Sequence, residues 1–86
     1  MKLSIEYCTH WNYFPRASSL ASEILDKYSD QVKELTLIPS GGGVFEIIKE
    51  NELIFSKKQL DRFPEDGEVE KLIRESSTWI DNWNSL

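Results

Sequence analysis

A change of hydrophobic period within the first 28 residues constrains this chain more than any other feature. Leu3, Ile5 and Tyr7 alternate with Ser4, Glu6 and Cys8, and a period of two predicts a strand with one buried face. Ala17, Leu20, Ala21, Ile24, Leu25 and Tyr28 then recur at helical spacing. They predict an amphipathic helix ending near Ser29 and Asp30. Asn12 is placed to be its N-cap, and Pro15 falls in the first turn, where a missing N–H costs nothing. Val32 to Ile38 is rich in branched residues and predicts a second strand, broken by Pro39-Ser40-Gly41-Gly42-Gly43. Strand, helix and strand in that order imply a parallel, right-handed crossover.

The remainder extends the sheet. Val44 to Lys49 predicts a third strand, apolar in both phases. Glu50-Asn51-Glu52 is a polar turn into a fourth strand, Leu53 to Ser56. Lys57 through Gly67 is charged and proline-bearing, which predicts a loop. Val69, Leu72, Ile73, Ser76, Ile80 and Trp83 mark a last helix, opened by the acids Glu65, Asp66 and Glu68. The expected architecture is one α/β domain over residues 1–86, β-α-β-β-β-α, with a four-stranded mixed sheet and two helices. Helices on one face leave the other open. The second apolar phase of the third strand then predicts a patch able to support weak self-association.

Composition removes several functions. With a single cysteine, Cys8, the chain has neither an internal disulfide nor a cysteine zinc cage. Cys8 and His10 offer too few ligands for a metal, and no metal site is expected. Fifteen acids against ten bases give a net charge of −5, which argues against nucleic acid as partner. No apolar run reaches the ~20 residues a membrane helix needs. Met1 to Glu6 alternates and carries charge where a signal peptide is apolar. The expected location is the cytoplasm, where a lone thiol stays reduced.

Cys8 closes the first strand just ahead of the first helix, whose N-terminal dipole favours a thiolate. His10, two residues on, can add charge or accept the thiol proton. The competing reading is a buried cysteine acting as a small hydrophobe. Trp11 has two readings as well: its ring packs on Tyr13 and Phe14, or the three form an apolar surface that docks a partner. Packing is the default, since aromatic rings bury area where they can. Gly41-Gly42-Gly43 lacks the lysine and helix of a phosphate loop and leads into a strand instead. Lys57, Lys58 and Arg62 form a basic cluster that either is solvated or attracts carboxylates.

The segment Tyr7-Cys8-Thr9-His10-Trp11-Asn12-Tyr13 resembles the redox segment of the selenoprotein W family, small thioredoxin-like proteins grouped as SelT/SelW/SelH or Rdx. The likeness continues through Pro15, through Gly42-Gly43-Val44-Phe45-Glu46-Ile47, through Phe55-Ser56-Lys57-Lys58 and through Arg62-Phe63-Pro64-Glu65. The resemblance implies a thioredoxin-like fold and a thiol site at Cys8 and His10. It also implies a partner surface made by Thr9, Trp11 and the Gly41, Gly42 and Gly43 loop. No cofactor is implied. The implied partner is glutathione or a protein thiol or disulfide.

One departure governs the function. The family's second redox position, cysteine or selenocysteine, is Trp11 here. An internal dithiol cycle needs two sulfurs. Three readings remain: a monothiol that forms mixed disulfides through Cys8, an interaction module that has lost redox chemistry, or a tryptophan standing where the gene specifies selenocysteine.

Overall fold

The structure is a computed structural model and describes residues 1–76. Ile80 and Trp83, expected to continue the last helix, lie outside the described residues. The elements run β1 (Lys2–Cys8), α1 (Tyr13–Lys27), β2 (Glu34–Ser40), β3 (Phe45–Lys49), β4 (Glu52–Ser56), α2 (Lys57–Leu60) and α3 (Glu68–Glu75). The four strands form one sheet in the order β2-β1-β3-β4. β1 pairs parallel with β2 and antiparallel with β3, which pairs antiparallel with β4. The mixed sheet is as expected, but the described residues hold three helices instead of two.

The inward phase of β1 supplies Leu3, Ile5 and Tyr7 to the core. Ala17, Ala21 and Ile24 of α1, Phe45 and Ile47 of β3, Phe55 of β4 and Val69 and Ile73 of α3 complete it. α1 and α3 therefore cover the same face of the sheet. Ile24 and Ile73 are fully buried, and burying each such side chain stabilises by about 1.5–3 kcal/mol. Leu25 sits about 100° round the helix from Ile24 and is exposed, so it leaves the expected stripe. Lys27 Nζ meets the buried carboxylate of Glu70 at 3.1 Å and joins α1 to α3.

Four local features differ from the sequence-based expectations. β2 runs through Pro39 to Ser40 instead of stopping at Ile38. The Ser40 carbonyl accepts from Thr9 N–H at 3.0 Å, so by alternation the Pro39 nitrogen faces away from β1 on an edge strand, where no donor is needed. The expected loop after β4 begins with a one-turn helix, because the Ser56 side chain caps it by accepting from Gln59 N–H at 3.1 Å. In β4 an extra residue, Ile54, separates Leu53 and Phe55, which oppose the adjacent residues Ile48 and Ile47. Lys49 is completely buried despite its charge. Its ammonium donates to the Ile73 carbonyl at 3.3 Å and to Ser76 Oγ at 2.6 Å, and burial pushes its pKa down.

The opposite face carries Ser4 and Glu6 of β1, Thr36 and Ile38 of β2, Glu46 and Ile48 of β3 and Leu53 of β4. Ile38 and Leu53 are exposed there and Leu53 pairs with Ile48, but Ser4 and Glu6 of β1 and Glu46 of β3 separate these from Ile38. The apolar area of this face is therefore interrupted. Glu46, in the midst of the apolar run of β3, accepts from Ser56 Oγ and from the Lys58 amide. Its carboxylate fastens the start of α2 to the sheet.

Candidate functional site

The strand order fixes where the site lies. Because β1 separates β2 from β3, their connection must step across the end of β1, a span of about 9–10 Å. Gly41, Gly42 and Gly43 make that step. Thr9 N–H binds the Ser40 carbonyl at 3.0 Å on one side, and Cys8 N–H binds the Val44 carbonyl at 2.9 Å on the other. The glycine bridge is thus tied by its stems to the two residues that leave β1. Gly42 and Gly43 take φ of +69° and +71°, which L side chains rarely adopt. A Cβ on Gly43 would stand 3.6 Å from Tyr13 Oη, so the bridge also touches the start of α1.

Cys8 closes β1 at 0% exposure. Its Sγ accepts the amide N–H of His10 at 3.4 Å. This local i to i+2 bond resembles the turns that Asp and Ser side chains make, and it bends the chain away from the strand. Trp11 and Asn12 follow with φ of 57° and 62°, two successive left-handed residues. α1 then begins at Tyr13. Asn12 is the N-cap in position, but its side chain makes no capping bond. The left-handed backbone, not an Asn side chain in the extended region, sets the direction in which the helix starts. No acidic residue stands in the first turn of α1, so no carboxylate satisfies its free amides.

The expected residues come together unevenly. Thr9, His10 and Trp11 are exposed around the buried thiol, with the glycine bridge beside them. The proton-accepting role expected of His10 has no hydrogen bond to carry it. It is the amide that meets Sγ, while the imidazole lies 5.7 Å from the Trp11 ring. The expectation that Trp11 packs away is corrected too. Its ring is 76% exposed, 6.4 Å from Tyr13, and Phe14 turns instead to Tyr7 at 5.6 Å.

The basic cluster is also rearranged. Arg62 pairs with Glu68 through both guanidinium nitrogens, at 2.7 and 2.9 Å, and so leaves the cluster. Arg16 takes its place, with its guanidinium carbon 4.1 Å from the Phe63 ring centre. Lys57 Nζ lies 5.5 Å from Phe63 and 5.7 Å from Tyr13. Phe63 packs edge-on to Tyr13 at 4.9 Å and to Phe45 at 5.3 Å, and so links α1, β3 and the loop before α3. Sequence reasoning gives Phe63 and Arg16 no role. For Phe63 the signals are its place in the Arg62-Phe63-Pro64-Glu65 segment of the resemblance and an aromatic in an otherwise polar stretch.

Comparison with known proteins agrees with this arrangement. The model of the Rdx family matches residues 2–75. A selenoprotein W-related protein from Vibrio cholerae superimposes with a TM-score of 0.81 at 31% identity, covering 86% of this chain and 92% of the other. A Bordetella parapertussis protein gives a TM-score of 0.81 at 28% identity, covering 86% and 94%. No curated protein matches the chain. The fold is thioredoxin-like, as in the selenoprotein W-related structure. With the thiol segment, the glycine bridge and the Arg62-Phe63-Pro64 approach to α3 all inside the matched span, the chain belongs to the Rdx, selenoprotein W-like family.

Proposed function

We propose that the protein, whose family points to a thioredoxin-like, redox-associated role, works as a monothiol through Cys8. The observation that carries this reading is the setting of the sulfur, which accepts the His10 amide ahead of a helix start that no carboxylate caps. The amide donor orients the sulfur at the end of β1, where the chain turns towards α1. The Cys8 thiolate attacks one sulfur of glutathione disulfide. A Cys8–glutathione disulfide forms, the other glutathione leaves as thiolate, and the Cys8 proton goes to solvent. A protein thiol then attacks the glutathione sulfur of the adduct, takes up the glutathionyl group as a mixed disulfide and releases the Cys8 thiolate. That second step is external because Trp11 stands where a resolving sulfur would be. Access to the buried sulfur requires a local opening of the chain around it. A cytoplasm that holds both glutathione and protein thiols supplies the two reactants.

Intact mass after treatment with oxidised glutathione tests this. One glutathione adduct per chain, absent from Cys8→Ser, is expected. Alkylation of Cys8 should proceed at neutral pH. No adduct, with alkylation rising only as the pH passes an ordinary thiol's ~8.5, overturns the reading.

A second reading has its own observation. The complete burial of Cys8 beside a Trp11 that is three-quarters exposed favours a non-catalytic interaction module, in which the sulfur only shapes the turn. The same alkylation series separates the two readings.

A further inference from the structure

An aromatic row that runs from the exposed Trp11 to the half-buried Tyr13 and Phe63 carries two cations on a chain whose formal charge is −5. Trp11, Tyr13 and Phe63 follow one another at ring separations of 6.4 and 4.9 Å. Arg16 rests on Phe63, and Lys57 sits over both Phe63 and Tyr13. Among the described residues neither cation is in a salt bridge. Glu23, Glu65 and Asp66 line the cleft beside Phe63 together with Arg16, yet none pairs with it. Two cations placed over aromatic rings and not paired with a carboxylate are positioned to meet an incoming acid.

Trp11 points the same way. A bulky residue at positive φ is an outlier that costs about 1–3 kcal/mol, and it persists only where the surroundings impose it. Here the turn from Cys8 through His10 to the left-handed Asn12 imposes it, and the ring is left in solvent. Phe14, next to this row, is 51% exposed. Exposed Trp and neighbouring Arg are the residue types that dominate protein–protein hot spots.

We propose that this face binds an acidic segment of a partner protein, an apolar side chain of the segment lying on Trp11 and its carboxylates on Arg16 and Lys57. The surface does not need a reactive Cys8, so it stands apart from the monothiol reading.

Calorimetric titration with a short amidated peptide of glutamates flanking two phenylalanines tests it, beside a twin with lysine for every glutamate. The acidic peptide is expected to bind and the lysine twin at least tenfold more weakly. The double variant Arg16→Glu with Lys57→Glu, its fold checked by amide NMR, should lose tenfold or more for the acidic peptide. Trp11→Ala should lose several-fold, and Cys8→Ser should bind as the parent does. Failure of the acidic peptide to bind, equal binding of both peptides, or parental affinity in the double variant overturns the proposal.

Discussion

The two long helices start in opposite ways. α3 begins behind Gly67 with Glu68 and Glu70 in its first turn. Glu68 accepts from the Glu65 amide at 2.9 Å and from Arg62, so carboxylate charge meets the positive end of the helix. α1 begins with neither acid nor side-chain cap. Its first turn is shaped by backbone alone, through the left-handed Trp11 and Asn12. The difference shows how each end is held. The α3 start is closed by carboxylates, whereas the α1 start has no side-chain cap and follows a strained turn.

The two helix starts share a floor, and removing it should give the largest effect. Phe45 is 1% exposed and supports Phe63, which touches the α1 start through Tyr13. Phe45→Ala should destabilise the protein by about 3–5 kcal/mol, read as a lower urea midpoint. Next come two changes of opposite sign at the α1 end. Gly42 has φ of +69° and open space where a Cβ would go, so Gly42→Ala tests backbone strain alone. A loss of about 1–2 kcal/mol is expected, read as a lower urea midpoint. Trp11→Gly relieves the same kind of strain and loses little burial. A gain of about 0.5–1 kcal/mol is expected after the entropy of the added glycine. If Trp11→Gly destabilises by a similar amount, the ring contributes packing and the turn is not strained.

The two ends are not equally legible in the sequence. The period-two run of Leu3, Ile5 and Tyr7 and the stripe of Ala17, Ala21 and Ile24 can be read because burial on one face writes itself into spacing. The position of Cys8 at the strand end and the approach of the glycine loop follow from element order. The left-handed Trp11 does not, because φ is set by the hydrogen bonds of the turn and tryptophan carries no preference for it. Pro39 looks like a strand end because a sequence does not say which strand lies at the edge. Lys49 reads as the solvated end of a strand, yet its ammonium caps the end of α3 from across the core. The departure of Arg62 from the basic cluster depends on Glu68, six residues away across an irregular loop, where no period links the two.

The smallest effect concerns the α3 start and is a matter of pH. Arg62 and the Glu65 amide hold the Glu68 carboxyl down to about 2, from an ordinary 4.5. Between those values the unfolded chain binds the proton and the native one does not, so this group makes stability rise with pH. Its contribution is complete above about 4.5 and is lost as the pH falls towards 2. Glu68→Gln keeps the shape and removes the charge. The variant should be slightly less stable than the parent near neutrality, and the two urea midpoints should converge as the solution is acidified. Because Arg62 is exposed, salt should narrow the gap at neutral pH as well. No acid stands at the α1 start, so neither Asn12→Ala nor any other neutral change there should alter the pH slope in this window. A slope that changes as much for Asn12→Ala as for Glu68→Gln would mean the two helix starts are held by the same electrostatics.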